Sequence, residues 1–188
     1  LVKVDIDGNI LSESEFGINP AGYTIHSAVH MGRKDAGCVM HTHTAAGLGV
    51  ATQKSGLLPL TQMALAVIAQ TSYHSYEGPA FDLGERDRLI EDLSSNNVLI
   101  LRNHGLLTVG KTVAEAFVWM FRAERACRFQ LSFQQAGAPA QEISKAVQDI
   151  SIERSKKAIS ASGHRPIGQF EWPALLRKLN RENPGYDE

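Results

Sequence analysis

Apolar and polar positions change period several times along the chain, and each change marks an element. The longest periodic stretch begins at Thr112. Val113, Ala116, Phe117, Met120, Ala123, Cys127 and Leu131 fall at i, i+3, i+4 and i+7 spacing, the pattern of a helix with one buried stripe. Thr112 and Glu115 form a capping box at its start, the helix is expected to reach about Gln135, and Gly137-Ala138-Pro139 breaks it. Glu124 interrupts the stripe, and Arg128 four residues on is its expected partner. Asn19-Pro20 likewise reads as a cap followed by Pro at the first helical position, opening a helix to about Arg33 with Ile25, Ala28, Val29 and Gly32 on one face. Shorter helices are expected over Ala45–Lys54 after Thr44, Met63–Ala69 after Thr61, Asp82–Leu93 and Gln141–Ala158.

Between these lie runs with strand character. Val4 to Leu11 alternates around Asp7-Gly8 and predicts a hairpin. Cys38–His43, Thr71–Tyr76, Val98–Leu101 and Leu106–Val109 are short, β-branched or aromatic segments ending at Gly, Pro or polar residues. Strands alternating with helices imply an α/β domain of three layers, α/β/α, over residues 1–160. Residues 161–188, with Gly163, Pro166, Gly168, Pro173, Pro184 and Gly185, read as an irregular tail with a short helix over Trp172–Leu179.

Composition narrows the partners. The chain has 188 residues and a formal net charge of −1, enough length for one core and no field to draw nucleic acid or an anionic membrane. A small-molecule substrate or a protein partner is expected instead. The two cysteines, Cys38 and Cys127, have no CxxC neighbour and read as buried thiols of a reducing compartment. No apolar run approaches the ~20 residues of a membrane helix, so the cytoplasm is the expected location. Leu1 is not an initiator, so the chain is expected to begin inside a longer product or to have been trimmed.

Candidate chemistry gathers in Cys38-Val39-Met40-His41-Thr42-His43. Alternate residues of a strand share a face with Cα atoms roughly 6.5–7 Å apart, so His41 and His43 can converge on one metal ion. The best third ligand is His104, at the end of a second apolar run, and Gly105 would let the backbone lie close. Three imidazoles with open positions describe a catalytic rather than a structural zinc site. The alternative is a set of core histidines bonded to backbone carbonyls. His26 and His30 stand at i, i+4 and could chelate on a helix surface, but neither has a carboxylate helper nearby, and they read as packing residues.

Four stretches then occur in order: Asn19-Pro20-Ala21-Gly22-Tyr23-Thr24-Ile25-His26-Ser27-Ala28, Cys38 to Thr44, Gly56-Leu57-Leu58-Pro59 and Leu99 to Leu106. From Leu1 to Ala136 the chain resembles the class II aldolase/adducin family, and Trp172 to Tyr186 resembles the ending of adducin-like members. The resemblance implies a central mixed, largely antiparallel sheet. It implies a zinc site, or one for another divalent ion, at His41, His43 and His104, and a homotetramer with that site near a subunit boundary. It further implies Lewis-acid chemistry on a small hydroxy-carbonyl compound through an ene-diolate, as a lyase or epimerase. Two departures stand out: the family's acid/base glutamate falls on Gly22, and a proton-donating tyrosine of the sugar-phosphate aldolases falls near Met63. Gly8-Asn9 lacks the serine of the family's phosphate loop. Glu77, Tyr73 and Tyr23 are therefore the candidate replacements for the base. The competing reading is a non-catalytic adducin-like scaffold or protein-binding domain, and a zinc hydrolase is a distant third because no carboxylate base is evident.

Overall fold

All residues of Val98–Leu101 (β3) and Gly105–Gly110 (β4) are buried. These runs are continuously apolar rather than alternating because helices cover both faces of the sheet they centre. In this computed structural model residues 1–80 and 82–187 are described. In chain order the elements are α1 (Pro20–Gly32), β1 (Cys38–Thr42), α2 (Ala45–Ala51), α3 (Gln62–Ile68), β2 (Thr71–His74), α4 (Glu85–Leu93), β3, β4, α5 (Val113–Ala136), α6 (Lys145–Ile159) and α7 (Glu171–Glu182).

The strand order is β1-β4-β3-β2. β1–β4 and β3–β4 are antiparallel and β2–β3 is parallel, which is the mixed, largely antiparallel sheet expected. Successive strand residues divide between two cores, as the period of two requires. Val98, Ile100 and Leu106 pack with Val50, Val67, Trp119 and Cys127 under α2, α3 and α5. Leu99, Leu101, Leu107 and Val109 pack with Ile25, Val29, Leu89 and Leu93 under α1 and α4. Each such fully buried aliphatic side chain contributes roughly 1.5–3 kcal/mol.

The helix starts follow the capping residues. The Asn19 side chain accepts from the Ala21 and Gly22 N–H groups, Thr44 from Gly47, Thr61 from Ala64 and Thr112 from Glu115. Glu115 reaches back past the cap and accepts from Lys111 N–H at 2.7 Å. Several boundaries differ from expectation. α4 starts at Glu85 rather than Asp82, because the Asp82 carboxylate accepts from Gly84 N–H at 2.8 Å and makes a turn. α6 starts at Lys145 rather than Gln141 and buries no residue. β2 ends at His74, short of Tyr76, and α7 runs past Leu179 to Glu182, with Trp172 edge-on to Phe117. The hairpin at Val4–Leu11 narrows to a single bridge, Val4 to Ile10, because Asp5 accepts from the N–H groups of Asp7 and Asn9. Glu124 does not pair with Arg128 among the described residues; it accepts from Thr44 O–H at 2.5 Å, tying α5 to the start of α2. No helix of the described residues is long and apolar enough to cross a membrane.

Candidate metal centre

β1 lies beside β4 in a register that sets His41 opposite Leu107 and Thr42 opposite Leu106. β4 is reached from β3 through the turn Arg102–His104, and this places His104 next to the end of β1. The turn is held from below. Asn103, with φ 57°, donates its N–H to Ala51 O at 3.1 Å, and Arg102 Nη1 donates to Gln53 O at 2.8 Å, just past α2. Gly105 then permits the convergence: its φ is 154°, and a Cβ there would stand 2.3 Å from Thr42 O, 3.2 Å from His43 Cδ2 and 3.4 Å from His41 Cε1. Two rings therefore close over a residue without a side chain.

The three imidazole centroids are 4.6, 4.8 and 4.8 Å apart, and one nitrogen from each lies within 4.8 Å of the others. His41 Nδ1 is 2.9 Å from Leu106 O. A carbonyl can only accept, so Nδ1 carries the proton and Nε2 turns its lone pair toward the cluster, the arrangement that orients metal-binding histidines. Burial, first, and then the neighbouring histidines push His41 down to about 4, overcoming the opposing bond to Leu106. Burial followed by His43 and His74 lowers His104. Both rings are therefore neutral near pH 7, as ligation requires. His41 Nε2 and His43 Nε2 stand 2.7 Å apart, against about 3.3 Å for two nitrogens on a tetrahedral zinc at normal bond lengths; exposed His43 has room to open by that margin. An all-imidazole donor set, one fixed tautomer and an exposed side fit a catalytic-type zinc ion.

The sheet brings His41, His43 and His104 together, and it spends the other candidates elsewhere. Tyr73 packs with the α2/α3/α5 core, on the opposite face from His41; its hydroxyl accepts from Leu57 N–H at 3.0 Å and Arg102 lies over its ring. The Tyr23 hydroxyl donates to Ile6 O at 2.6 Å, with Arg86 over its ring. Glu77 receives two bonds from Arg88, at 2.8 and 2.5 Å, and that guanidinium holds its carboxyl below the usual carboxylate range. His26 and His30 do not converge on the triad. They line a cavity of about 630 Å³ with Asp5, Asn19, Gly22 and Tyr23, and burial and then His30 lower His26. His30 Nδ1 donates to Ala36 O.

Two features escaped the sequence reading. His74 is buried, with Nδ1 2.7 Å from Asp92 and Nε2 3.2 Å from Glu85; a histidine in a strand followed by an acidic helix was the available signal. Tyr76 stands with its ring 6.5 Å from that of His104, and only its place two residues beyond that strand hinted at it.

Comparison with known proteins identifies the family and the fold. The chain is 51% identical over 192 residues to a Pseudomonas aeruginosa protein named for the class 2 aldolases, covering 99% of this chain and 71% of that one. It is 38% identical over 199 residues to rat alpha-adducin, covering 99% of this chain and 26% of the adducin. A crystal structure of an aldolase II superfamily protein from Pseudomonas syringae superposes with a TM-score of 0.85 at 44% identity, covering 96% and 71% of the two chains. An L-fuculose 1-phosphate aldolase from Glaciozyma antarctica shares the fold, at a TM-score of 0.75, 23% identity and coverage of 96% and 67%. The family described as Class II Aldolase and Adducin N-terminal domain matches residues 1–131, and with the sheet order and these relatives it follows that this chain belongs to the class II aldolase and adducin family.

Proposed function

We propose that His41, His43 and His104 hold one zinc ion and that the protein is a lyase or epimerase acting on a small hydroxy-carbonyl compound. The carrying observation is the convergence of three imidazoles on one exposed side, with the His41 tautomer fixed by Leu106 O. When bound, the ion supplies Lewis-acid polarisation of a carbonyl and favours ene-diolate character in the substrate. The protein's own contribution is orientation: Leu106 O holds His41, and the Arg102–His104 turn, pinned to Ala51 and Gln53, holds His104. Proton transfer is the weak link. At Gly22 the family's carboxylate is missing, and a general acid or base is typically worth roughly 10²–10⁴-fold in rate. Slow turnover of sugar-like substrates is the expected behaviour.

The experiment is a zinc analysis followed by titration with glycolohydroxamate, a bidentate mimic of an ene-diolate. The wild type is expected to take up one zinc per chain and to bind the hydroxamate, and His104→Ala to lose both. Full zinc content in His104→Ala would overturn the triad. The second reading, an adducin-like scaffold that binds a protein partner, is favoured by Gly22 and by the 38% identity to alpha-adducin; zinc uptake without hydroxamate binding would make it the better account. Two unpaired cysteines, with the Cys127 thiol pushed up to about 12 by burial and then by Glu124, suit a reducing cytoplasm in either reading.

A further inference from the structure

The approach to His104 is bordered by a short segment fixed at both ends to α4. At its start the His74 ring is buried between Asp92 and Glu85. Near its end Glu77 is gripped in a forked pair by Arg88. Two residues separate these anchors, and one of them is Tyr76, 53% exposed, with its ring 67° to that of His104 and 6.5 Å from it. Its ring is thus half in water and beside that of His104. The Tyr23 hydroxyl donates to Ile6 O and the Tyr73 hydroxyl accepts from Leu57 N–H; no backbone bond occupies the Tyr76 hydroxyl among the described residues. The Glu77–Arg88 fork is planar and two-bonded, the kind that fixes orientation as well as distance.

We infer that Tyr76 is a substrate-contacting residue whose hydroxyl donates a hydrogen bond to an oxygen of the compound held at the triad, and that Glu77 with Arg88 positions it. This rests on the proposed function above. It also gives Glu77 a different role from that of a base: the carboxylate is engaged by Arg88, and its contribution is to hold the chain so that the phenol faces the site. The ligand class that suits the arrangement is a small anionic or polar molecule with vicinal oxygens, one pair for the ion and a neighbouring oxygen for Tyr76.

The test uses the full chain loaded with zinc and calorimetric titration with glycolohydroxamate, comparing wild type, Tyr76→Phe and Glu77→Gln, with zinc content measured for each. Tyr76→Phe keeps the ring and removes only the hydroxyl. It is expected to keep one zinc per chain and to weaken hydroxamate binding roughly tenfold, the loss of a hydrogen bond to a charged group. Glu77→Gln, which leaves the hydroxyl but loosens its support, is expected to weaken binding by a smaller factor. Wild-type affinity in Tyr76→Phe would overturn the inference while leaving the zinc site intact, and so would a loss of zinc in that variant, since the role would then be structural. A wild-type protein that takes up no zinc, or takes it up without binding hydroxamate, would overturn the functional reading and this inference with it.

Discussion

A methyl group at position 105 would meet Thr42 O at 2.3 Å on a backbone at φ 154°, so Gly105→Ala must push β1 and the β3–β4 turn apart. The expected cost is about 1–3 kcal/mol of stability, read as a lower denaturation midpoint, together with weaker zinc binding, because the same displacement separates His41 and His43 from His104. Position 22 behaves oppositely. A Cβ there would meet only Asn19 side-chain atoms, at 3.8 Å and beyond, and it faces the cavity that His26 also lines. Gly22→Glu is therefore expected to fold normally, its carboxylate lying in the first turn of α1 where the helix dipole favours it. A rise in turnover of a hydroxy-carbonyl substrate would show that proton transfer was the missing step; unchanged turnover with normal zinc content would show that the carboxylate does not reach the substrate. Protonation offers a further check at this scale. His26, His41 and His104 are all lowered in the fold, in each case chiefly by burial. The unfolded chain therefore binds protons first as pH falls. Stability of the metal-free protein should be highest above the unfolded histidine value near 6.5 and decline toward pH 4, which denaturant titrations at several pH values would reveal. Stability rising on acidification over that window would contradict these shifts.

The tie between α2 and α5 depends on one hydroxyl. Thr44 Oγ1 accepts from Gly47 N–H as a cap and donates to Glu124, which sits within the helix stripe. Thr44→Val removes both bonds and is expected to cost about 1–2 kcal/mol; because Thr44 follows His43 directly, zinc affinity should fall with it. The cap itself was legible in Thr44, as were Asn19-Pro20, Thr61 and Thr112, because capping is decided within four residues of chain. The alternation of His41 and His43 was legible for the same reason: a strand's period is local. What was not legible is long-range. Glu124 was expected to seek Arg128 on its own helix and instead found Thr44, 80 residues away. Tyr73 and Tyr23 read as candidate bases, and the fold bonds their hydroxyls to Leu57 and Ile6; Tyr76 was marked only by its place two residues beyond β2, which says nothing of its approach to His104. Asp82 misled because an acidic residue suits a turn as well as a first helical turn.

At the scale of the molecule, a zinc ion bound only by the folded state should raise stability by about 2.7 kcal/mol when present at a hundred times its dissociation constant. A thermal shift in wild type and none in His104→Ala would show this. Assembly is the second expectation. Phe121 and Phe129 on α5 are 44% and 43% exposed with Arg125 near both rings, and covering such a face suits the homotetramer expected from the family resemblance. Light scattering should give four times the 20.5 kDa of one chain, and a single-chain mass at micromolar concentration would contradict it. The strand order carries a last consequence, for time rather than affinity. β1 lies at an end of the four-stranded order, paired among the described residues with β4 alone, yet it supplies His41 and leads straight into His43, while His104 sits in the turn that joins the interior strands β3 and β4. Fraying of that one ladder would draw His41 and His43 away from His104 with both cores still packed. Metal exchange would then be set by the breathing of an edge strand, and the release of zinc to a chelator should keep pace with amide exchange in Cys38–Thr42, far ahead of exchange in Val98–Leu101.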